Sequence, residues 1–525
     1  MQKTLSYTVI VFALLTITGC AHEKPAELPN IIVILADDLG FGDVEFLNPD
    51  SKIPTPNLNQ MAAEGLSFTN AHAPASVCTP TRYSMLTGRY PWRSRLKHGV
   101  LWIWDRPLIQ QHEFTMGKML QEQGYHTACI GKWHLGWDWP TTDGQPATLE
   151  NEGRNVDYSK PIMNGPLTAG FDYYFGDDVP SFPPHAFIEN ERLTVMPSAW
   201  NENGPGAPGA MAPGWTYEDL LPTLTTKAEE YIRERVSSGK GQPFFLFFSM
   251  NAPHTPIAPA EEFIGKSEAG RYGDFVFQTD HSVGRILEML REQGIEENTL
   301  VFFSSDNGSV PFDGENYTGR FGSIYDYGHN PNGKLRGVKS DAWEGGHREP
   351  FIAWWPGRIR PGTSGALVSQ TDLMATFAEL TKFGLPDTVA ADSYSMLPLL
   401  LDEDDRAARG SLVKQSGNGI LSIHQGKWKL IMSSGSGGSW SKPKGELPVA
   451  DTSGETLAWK NVQLYNLADD LSEQHNVAEQ YPEITAELAG LLTEQISNGR
   501  CTDGPVLRND GPETWKQVEW MNVLK

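Results

Sequence analysis

Asn30-Ile31-Ile32-Val33-Ile34-Leu35-Ala36-Asp37-Asp38 is a nearly unbroken apolar, mostly β-branched run that ends abruptly in two carboxylates. An alternating pattern marks a strand with one wet face; an unbroken one marks a strand covered on both faces, as in a parallel sheet between helices. The pattern recurs. His126-Thr127-Ala128-Cys129-Ile130 leads into Gly131-Lys132-Trp133-His134, Phe244-Phe245-Leu246-Phe247-Phe248-Ser249 into Met250-Asn251-Ala252-Pro253-His254, and Thr299-Leu300-Val301-Phe302-Phe303-Ser304-Ser305 into Asp306-Asn307-Gly308. Helical patterns near 61–64, 114–123, 224–235 and 274–293 fall between these runs, a short strand is expected over 66–70, and Phe351-Ile352-Ala353-Trp354-Trp355-Pro356 supplies a fifth buried strand before a helix near 372–380. The expected fold is α/β: a large mixed, mostly parallel sheet flanked by helices.

In an open α/β sheet, ligands bind beyond the carboxyl ends of the strands. Asp37, Asp38, Lys132, His134, His254, Asp306 and Asn307 each follow a buried run, so they are expected along one edge. Any one of them has an ordinary structural explanation; all together would need four coincidences. Adjacent carboxylates such as Asp37 and Asp38 repel unless a cation neutralises them or water solvates the turn. Carboxylates and an amide suit a hard cation, Ca²⁺ or Mg²⁺, better than zinc, which favours His and Cys.

A second stretch, Ser76-Val77-Cys78-Thr79-Pro80-Thr81-Arg82, reads as a reactive side chain at the mouth of a helix. Proline is tolerated in a first helical turn, and Arg82 lies one turn beyond Cys78 on the same face. The helix N-terminus adds partial positive charge. With Arg82, Lys132 and Lys339 beside a cation, the pocket would suit a small tetrahedral oxyanion.

That pocket would be local, because the chain as a whole carries a formal net charge of -23. Such a balance argues against nucleic acid as a partner. The 525 residues are enough for one large domain and a smaller one, or for about two to four average domains. At the N-terminus, Lys3 and the run Val9-Ile10-Val11-Phe12-Ala13-Leu14-Leu15 are too short for a membrane span and read as an export signal. Leu15-Thr16-Ile17-Thr18-Gly19-Cys20 resembles the lipobox of bacterial lipoproteins, which makes Cys20 a lipid anchor; plain secretion is the alternative. The expected division is a signal peptide over 1–20, a tether over 21–28, and a mature protein in the periplasm or on the outer membrane of a bacterium, touching the membrane through its lipid only. Of four cysteines, Cys129 and Cys501 are left to pair or stay free, and Cys129, in an apolar run, is expected as a buried thiol.

From Trp137 to Trp215 the chain is rich in Gly, Pro and aromatics and reads as long loops over a binding face, with His185 a candidate substrate contact. His347 and Arg348 are candidates of the same kind. The charged stretch Asp402-Glu403-Asp404-Asp405-Arg406 marks a boundary between a domain over 29–404 and another over 405–525. In the second, Ile420-Leu421-Ser422-Ile423-His424 and Lys427-Trp428-Lys429-Leu430-Ile431 form a hairpin of an antiparallel sheet, covered by a helix over 482–494.

Cys78-Thr79-Pro80-Thr81-Arg82 with Leu86-Thr87-Gly88, Gly131-Lys132-Trp133-His134-Leu135-Gly136 and Ile34-Leu35-Ala36-Asp37-Asp38 closely resemble the type I, formylglycine-dependent sulfatases of the alkaline phosphatase-like superfamily. Leu464-Tyr465-Asn466-Leu467, with Glu473 and Asn476, resembles their C-terminal signature. The resemblance implies that Cys78 is oxidised to formylglycine by a maturation enzyme. It also implies that Asp37, Asp38, Asp306, Asn307 and the converted Cys78 hold calcium, or magnesium as the alternative. Lys132, Lys339 and His254 would bind sulfate, with His254 or Lys339 protonating the leaving alcohol. Arg82 would orient the nucleophile and His134 take its second proton. The lipoprotein-like start, the aromatic-rich loops from Trp137 to Trp215, and His347 and Arg348 point to a sulfated polysaccharide or oligosaccharide as the substrate. A phosphonate or phosphate ester hydrolase, and a non-catalytic glycan-binding protein, are the competing readings.

Overall fold

The computed structural model describes residues 28–314, 323–402, 409–451, 458–512 and 514–523. The expected leader, Cys20 and the tether up to residue 27 lie outside the described residues, as do 403–408 of the expected boundary. Among the described residues no helix is long and apolar enough to cross a membrane.

The apolar runs form a ten-stranded sheet. In order across it stand Gly362–Ser364, Leu66–Phe68, Phe351–Trp354, Thr299–Ser305, Asn30–Ala36, Phe244–Ser249, His126–Gly131, Tyr173–Gly176, Ile188–Glu189 and Arg192–Leu193. The strands from Thr299–Ser305 through Tyr173–Gly176 run parallel. Phe351–Trp354 is antiparallel to its neighbours on both sides. Tyr173–Gly176 corrects one expectation: it lies in the stretch read as loops, yet it extends the parallel sheet. Its Gly-rich surroundings hid an aromatic strand that is short and close to an edge.

Side chains alternate between two cores because strand period is two. Ile31, Val33, Leu35, Phe245, Phe247, Leu300 and Phe302 face one core, which is covered by Cys78–Thr87, Met116–Glu122 and Leu373–Thr381. Ile32, Ile34, Leu246, Phe248, Val301 and Phe303 face the other, under Pro56–Glu64, Leu220–Ser237 and Gly270–Glu292. Burying a side chain of this size contributes about 1.5–3 kcal/mol, so these strands have no alternative place to lie.

A smaller antiparallel sheet, in the order Ser411–Gln415, Leu421–Gln425, Trp428–Ile431 and Gln463–Asn466, packs with the helix Pro482–Ser497. Its core also takes in Tyr90 and Trp92, from the segment after Cys78–Thr87. Buried ions join it to the large sheet's loops. Lys429 Nζ lies 2.9 Å from Glu344 Oε1 and 2.8 Å from Glu473 Oε1. Burial works to raise the Glu344 carboxyl, but Lys429 and Lys414 override it and hold it well below the ordinary value. Among the described residues the free cysteines are Cys78, Cys129 and Cys501, with Cys129 buried in the large sheet.

Candidate active site

Register builds the site. Ala36 pairs with Ser305, Leu35 with Ser249, and Ser249 with Gly131. The next residues along, Asp37, Asp306, Lys132 and the turn from Met250 to His254, therefore emerge side by side at the carboxyl edge. Gly131 is required there. Its φ is 115°, and a Cβ would sit 1.8 Å from the Ser249 carbonyl oxygen, where the Lys132 amide donates at 2.8 Å. Asp38 and His134 take left-handed φ values of 68° and 53°, uncommon for non-glycine residues and a recurrent mark of functional sites.

Lys132 Nζ stands 2.6 Å from Asp37 Oδ2, and Lys339 Nζ 2.8 Å from Asp38 Oδ2. Arg82 donates from Nε and Nη2 to Asp306 Oδ2, from Nη1 to the Lys132 carbonyl at 3.1 Å, and to Ser249 Oγ. Asn307 Nδ2 donates to Asp38 Oδ1 at 2.7 Å. That leaves Asn307 Oδ1 and Asp37 Oδ1 buried without a hydrogen-bond partner. Ligand atoms of Asp37, Asp38, Cys78 and His254 lie within 4.8 Å of one another. Three acidic side chains and an amide oxygen in one buried place, with the amide oxygen and one carboxylate oxygen unpartnered, are the donor set of a hard cation.

The electrostatics agree. Burial would raise Asp37, yet Lys132, His254, Arg82 and Lys339 hold it well below the usual carboxylate range. Burial and then the Asp37 charge push Asp306 up to about 7 against Arg82 and Lys132. Among three carboxylates facing one another, one is thus under-neutralised by protein charges alone.

Cys78 opens the helix Cys78–Thr87, with Arg82 one turn on and every residue of the helix buried. Burial pushes its thiol up to about 12 despite Lys132 and Lys339. As a thiol it is protonated at neutral pH, and a protonated thiol is a poor nucleophile. His134 Nε2 lies 3.0 Å from the Leu101 carbonyl, which can only accept, so this nitrogen carries the hydrogen. Its Nδ1 is then an unpartnered lone pair. Burial, then Lys132 and Arg82, hold its pKa well below the ordinary value. By the same logic His254 Nδ1, 2.6 Å from the Thr255 carbonyl, carries that ring's hydrogen. Burial and then Lys132 push His254 down to about 4.

Asp37, Asp38, Cys78, Arg82, Lys132, His254, Asp306, Asn307 and Lys339 thus meet in one linked cluster, and His134 flanks it. Three residues expected as substrate contacts are not hydrogen-bonded into this cluster and have other partners. His185 is buried, Nε2 2.9 Å from the Ala207 carbonyl and Nδ1 3.4 Å from the Tyr217 hydroxyl, where it pins its own loop. His347 is buried with Nδ1 3.1 Å from His72 Nδ1 and Nε2 3.0 Å from Lys429 Nζ. Arg348 pairs with Glu344 at 2.9 Å and donates to the Thr69 carbonyl. Both belong to the seam with the smaller sheet. Sequence reasoning missed Ser249, which accepts from Arg82 and donates to the Lys132 carbonyl at 2.7 Å. As the one polar residue closing the apolar run 244–249, it carried a readable signal.

A buried cluster of carboxylates and cations at the carboxyl edge of a mostly parallel sheet is the arrangement of a hydrolase acting on an oxyanion ester, and comparison names the class as the sulfatases. The family model described as Sulfatase matches residues 29–383. An N-acetylgalactosamine-6-O-sulfatase of Bacteroides thetaiotaomicron is 34% identical over 91% of this chain and 96% of its own. Human arylsulfatase A is 32% identical over 94% and 93%. A solved Bacteroides thetaiotaomicron structure, from work on the metabolism of multiple glycosaminoglycans, superposes with a TM-score of 0.75 at 32% identity, over 89% of this chain and 99% of that one. The chain belongs to the sulfatase family and hydrolyses sulfate esters.

Proposed function

We propose that this sulfatase acts on a sulfated glycan, through a formylglycine at position 78. The 6-O-sulfate of an N-acetylgalactosamine unit is the first ester to test, because it is the substrate named for a relative matched along nearly its whole length. The observation that carries the reading is the grouping of Asp37 and Asp38 with Cys78 and His254, to which Asp306 and Asn307 are hydrogen-bonded through Asp38, with two unpartnered acceptor oxygens and the cations Arg82, Lys132 and Lys339 alongside.

Asp37, Asp38, Asp306 and Asn307 would hold the cation, which we assign as calcium, with position 78 beside it. When bound, such an ion neutralises the carboxylates and makes a neighbouring hydroxyl more acidic. Lys132 and Lys339 face the sulfate oxygens, and Arg82 fixes the orientation of the side chain at 78. A formylglycine hydrate presents two hydroxyls. One attacks sulfur while the ester S–O bond breaks on the far side, and its proton passes to solvent, from which Lys339 is recharged after donating. Lys339 is the proton donor to the departing alcohol: Asp38 holds its ammonium charged, with a pKa raised despite burial, whereas His254 is neutral at neutral pH. The Nδ1 lone pair of His134 then takes the proton of the second hydroxyl, the C–O bond to sulfate breaks, and the aldehyde returns. Water rehydrates it, so the net reaction consumes one water and yields alcohol and hydrogen sulfate.

The same proposal has the chain exported and anchored at Cys20, with a catalytic domain over 29–404 and a C-terminal domain over 405–525. Mass spectrometry of the Cys78 peptide from a host with a maturation system, paired with sulfate release from 6-O-sulfated oligosaccharides, tests it. An unmodified cysteine in active enzyme would sink the mechanism; faster turnover of a phosphate ester would sink the substrate class.

A further inference from the structure

Two large aromatic side chains stand exposed on segments fastened directly to the site. Trp102 is 60% exposed. Its ring stacks on Phe182 at 6.1 Å and 24°, and Phe182 meets the His134 ring edge-on at 5.8 Å. Its backbone neighbour Leu101 takes the Nε2 hydrogen of His134 on its carbonyl and donates its amide to Oγ1 of Thr79, the residue after Cys78. Trp440 is 42% exposed and sits edge-on to Phe312 at 5.2 Å. The amide of its neighbour Ser439 donates to Ser340 Oγ at 3.0 Å, and Ser340 follows Lys339.

Sheet order separates the two. The Trp102 segment is fastened to His134, just beyond the strand His126–Gly131. The Trp440 segment is fastened beside Lys339, whose amide donates to the Ser309 carbonyl just beyond Thr299–Ser305. Asn30–Ala36 and Phe244–Ser249, with Asp37 and His254 at their ends, lie between those strands. One aromatic wall therefore stands on each side of the sulfate-binding residues.

Single exposed apolar residues are common and need no function. These two differ in that each is backed by a second ring and each is anchored within one residue of a group in the site. A flat aromatic face offers apolar contact area at little cost in side-chain freedom. A sugar ring presents C–H faces that such a surface covers, while its hydroxyls and sulfates stay at the edges. A nearby groove of about 830 Å³ is lined by Arg95 and Arg106 but also by Asp105, Asp138 and Asp510, so its acidic groups outnumber its basic ones and it gives a polyanion no comparable hold.

We propose that Trp102 and Trp440 are two sugar-ring platforms flanking the sulfate site, so that the enzyme binds sugar units beyond the one that carries the ester. This rests on the glycan reading above. The test compares native enzyme with Trp102→Ala, Trp440→Ala and Trp102→Tyr, using a 6-O-sulfated N-acetylgalactosamine tetrasaccharide and 4-nitrophenyl sulfate. Each alanine variant should lower kcat/KM on the tetrasaccharide about tenfold, the equivalent of about 1.4 kcal/mol of lost contact, through KM rather than kcat, and Trp102→Tyr should restore most of it. If native enzyme cleaves the tetrasaccharide and both alanine variants keep its KM, the platforms are overturned and the glycan reading stands. If native enzyme turns over 4-nitrophenyl sulfate but no glycan, the glycan reading falls and the platforms with it.

Discussion

Arg82 grips one oxygen of Asp306 from two nitrogens: Nε lies 3.0 Å and Nη2 2.7 Å from Oδ2, and both side chains are fully buried. Nη2 is also 3.6 Å from Asp37 Oδ2. Removing one partner of such a buried set leaves charge without compensation, which costs about 3–5 kcal/mol. Arg82→Met should therefore shift the urea midpoint strongly and abolish turnover. Arg82→Lys keeps the charge but loses the planar fork, so it should recover part of the stability and little activity. An Arg82→Met protein with the native midpoint would show that the pair does not work this way.

Cys78→Ser replaces the buried thiol with a hydroxyl of similar size, so the melting temperature should stay close to native. One hydroxyl can accept sulfate but has no second hydroxyl to expel it. The variant should therefore stall after a single event, with turnover down by at least about 10³-fold. Intact-mass measurement after incubation with substrate should find one sulfate per chain, and continued multiple turnover would contradict the mechanism.

A cation that binds only the folded state stabilises it by about 2.7 kcal/mol at a hundred times its Kd. Stripping metal with a chelator should lower the melting temperature and stop sulfate release, and added calcium should restore both. Asp37→Asn and Asn307→Ala should bind calcium more weakly in a titration followed by calorimetry. A chelator-treated enzyme with native melting and rate would remove the metal from the proposal.

Lys414 lies in the seam, its Nζ buried without a hydrogen-bond partner and 3.7 Å from Glu344, which already has Lys429 and Arg348. Burial pushes Lys414 down to about 7 from 10.5. The sign follows. As pH falls from 10.5 to 7 the unfolded chain takes up a proton that the folded chain does not, so folding is progressively disfavoured, and below 7 the penalty is constant. Lys414→Met should raise stability by about 1–3 kcal/mol at pH 7. The gain should vanish toward pH 10.5. Denaturation at both pH values checks it, and a gain that grew with pH would reverse the argument.

The catalytic edge was legible because parallel strands put chemistry one residue past their ends, close behind an apolar run. Asp37, Lys132 and Asp306 could be found that way, and Asp38, Asn307 and His254 follow within a few residues. Lys339 could not be found that way, since it lies in a long glycine-rich loop with no strand directly before it. The seam was illegible for another reason. Glu344, Lys429 and Glu473 are far apart in the chain, and a charge that will be buried looks in sequence like one that faces water. The seam partners of His347 and Arg348 were hidden for that reason. Trp102 and Trp440 carry no periodic signal; their interest comes from what their neighbours touch.

Lys339 is held by both halves of the molecule. The next residue, Ser340, has a φ of 80°, donates its amide to the Ser76 carbonyl at 2.6 Å, and accepts the Gly417 amide on its own carbonyl at 2.8 Å. Ala342 donates to Ser436 at 2.7 Å. The smaller sheet's loops thus act as a jig that sets the position of an ammonium group in the larger domain. A substitution in 416–417 or 436–439, remote in sequence from Asp37, Asp38 and Asp306, bears on the placement of Lys339 as directly as a change beside it, and an enzyme without the smaller sheet would keep those carboxylates yet lose what aligns that ammonium.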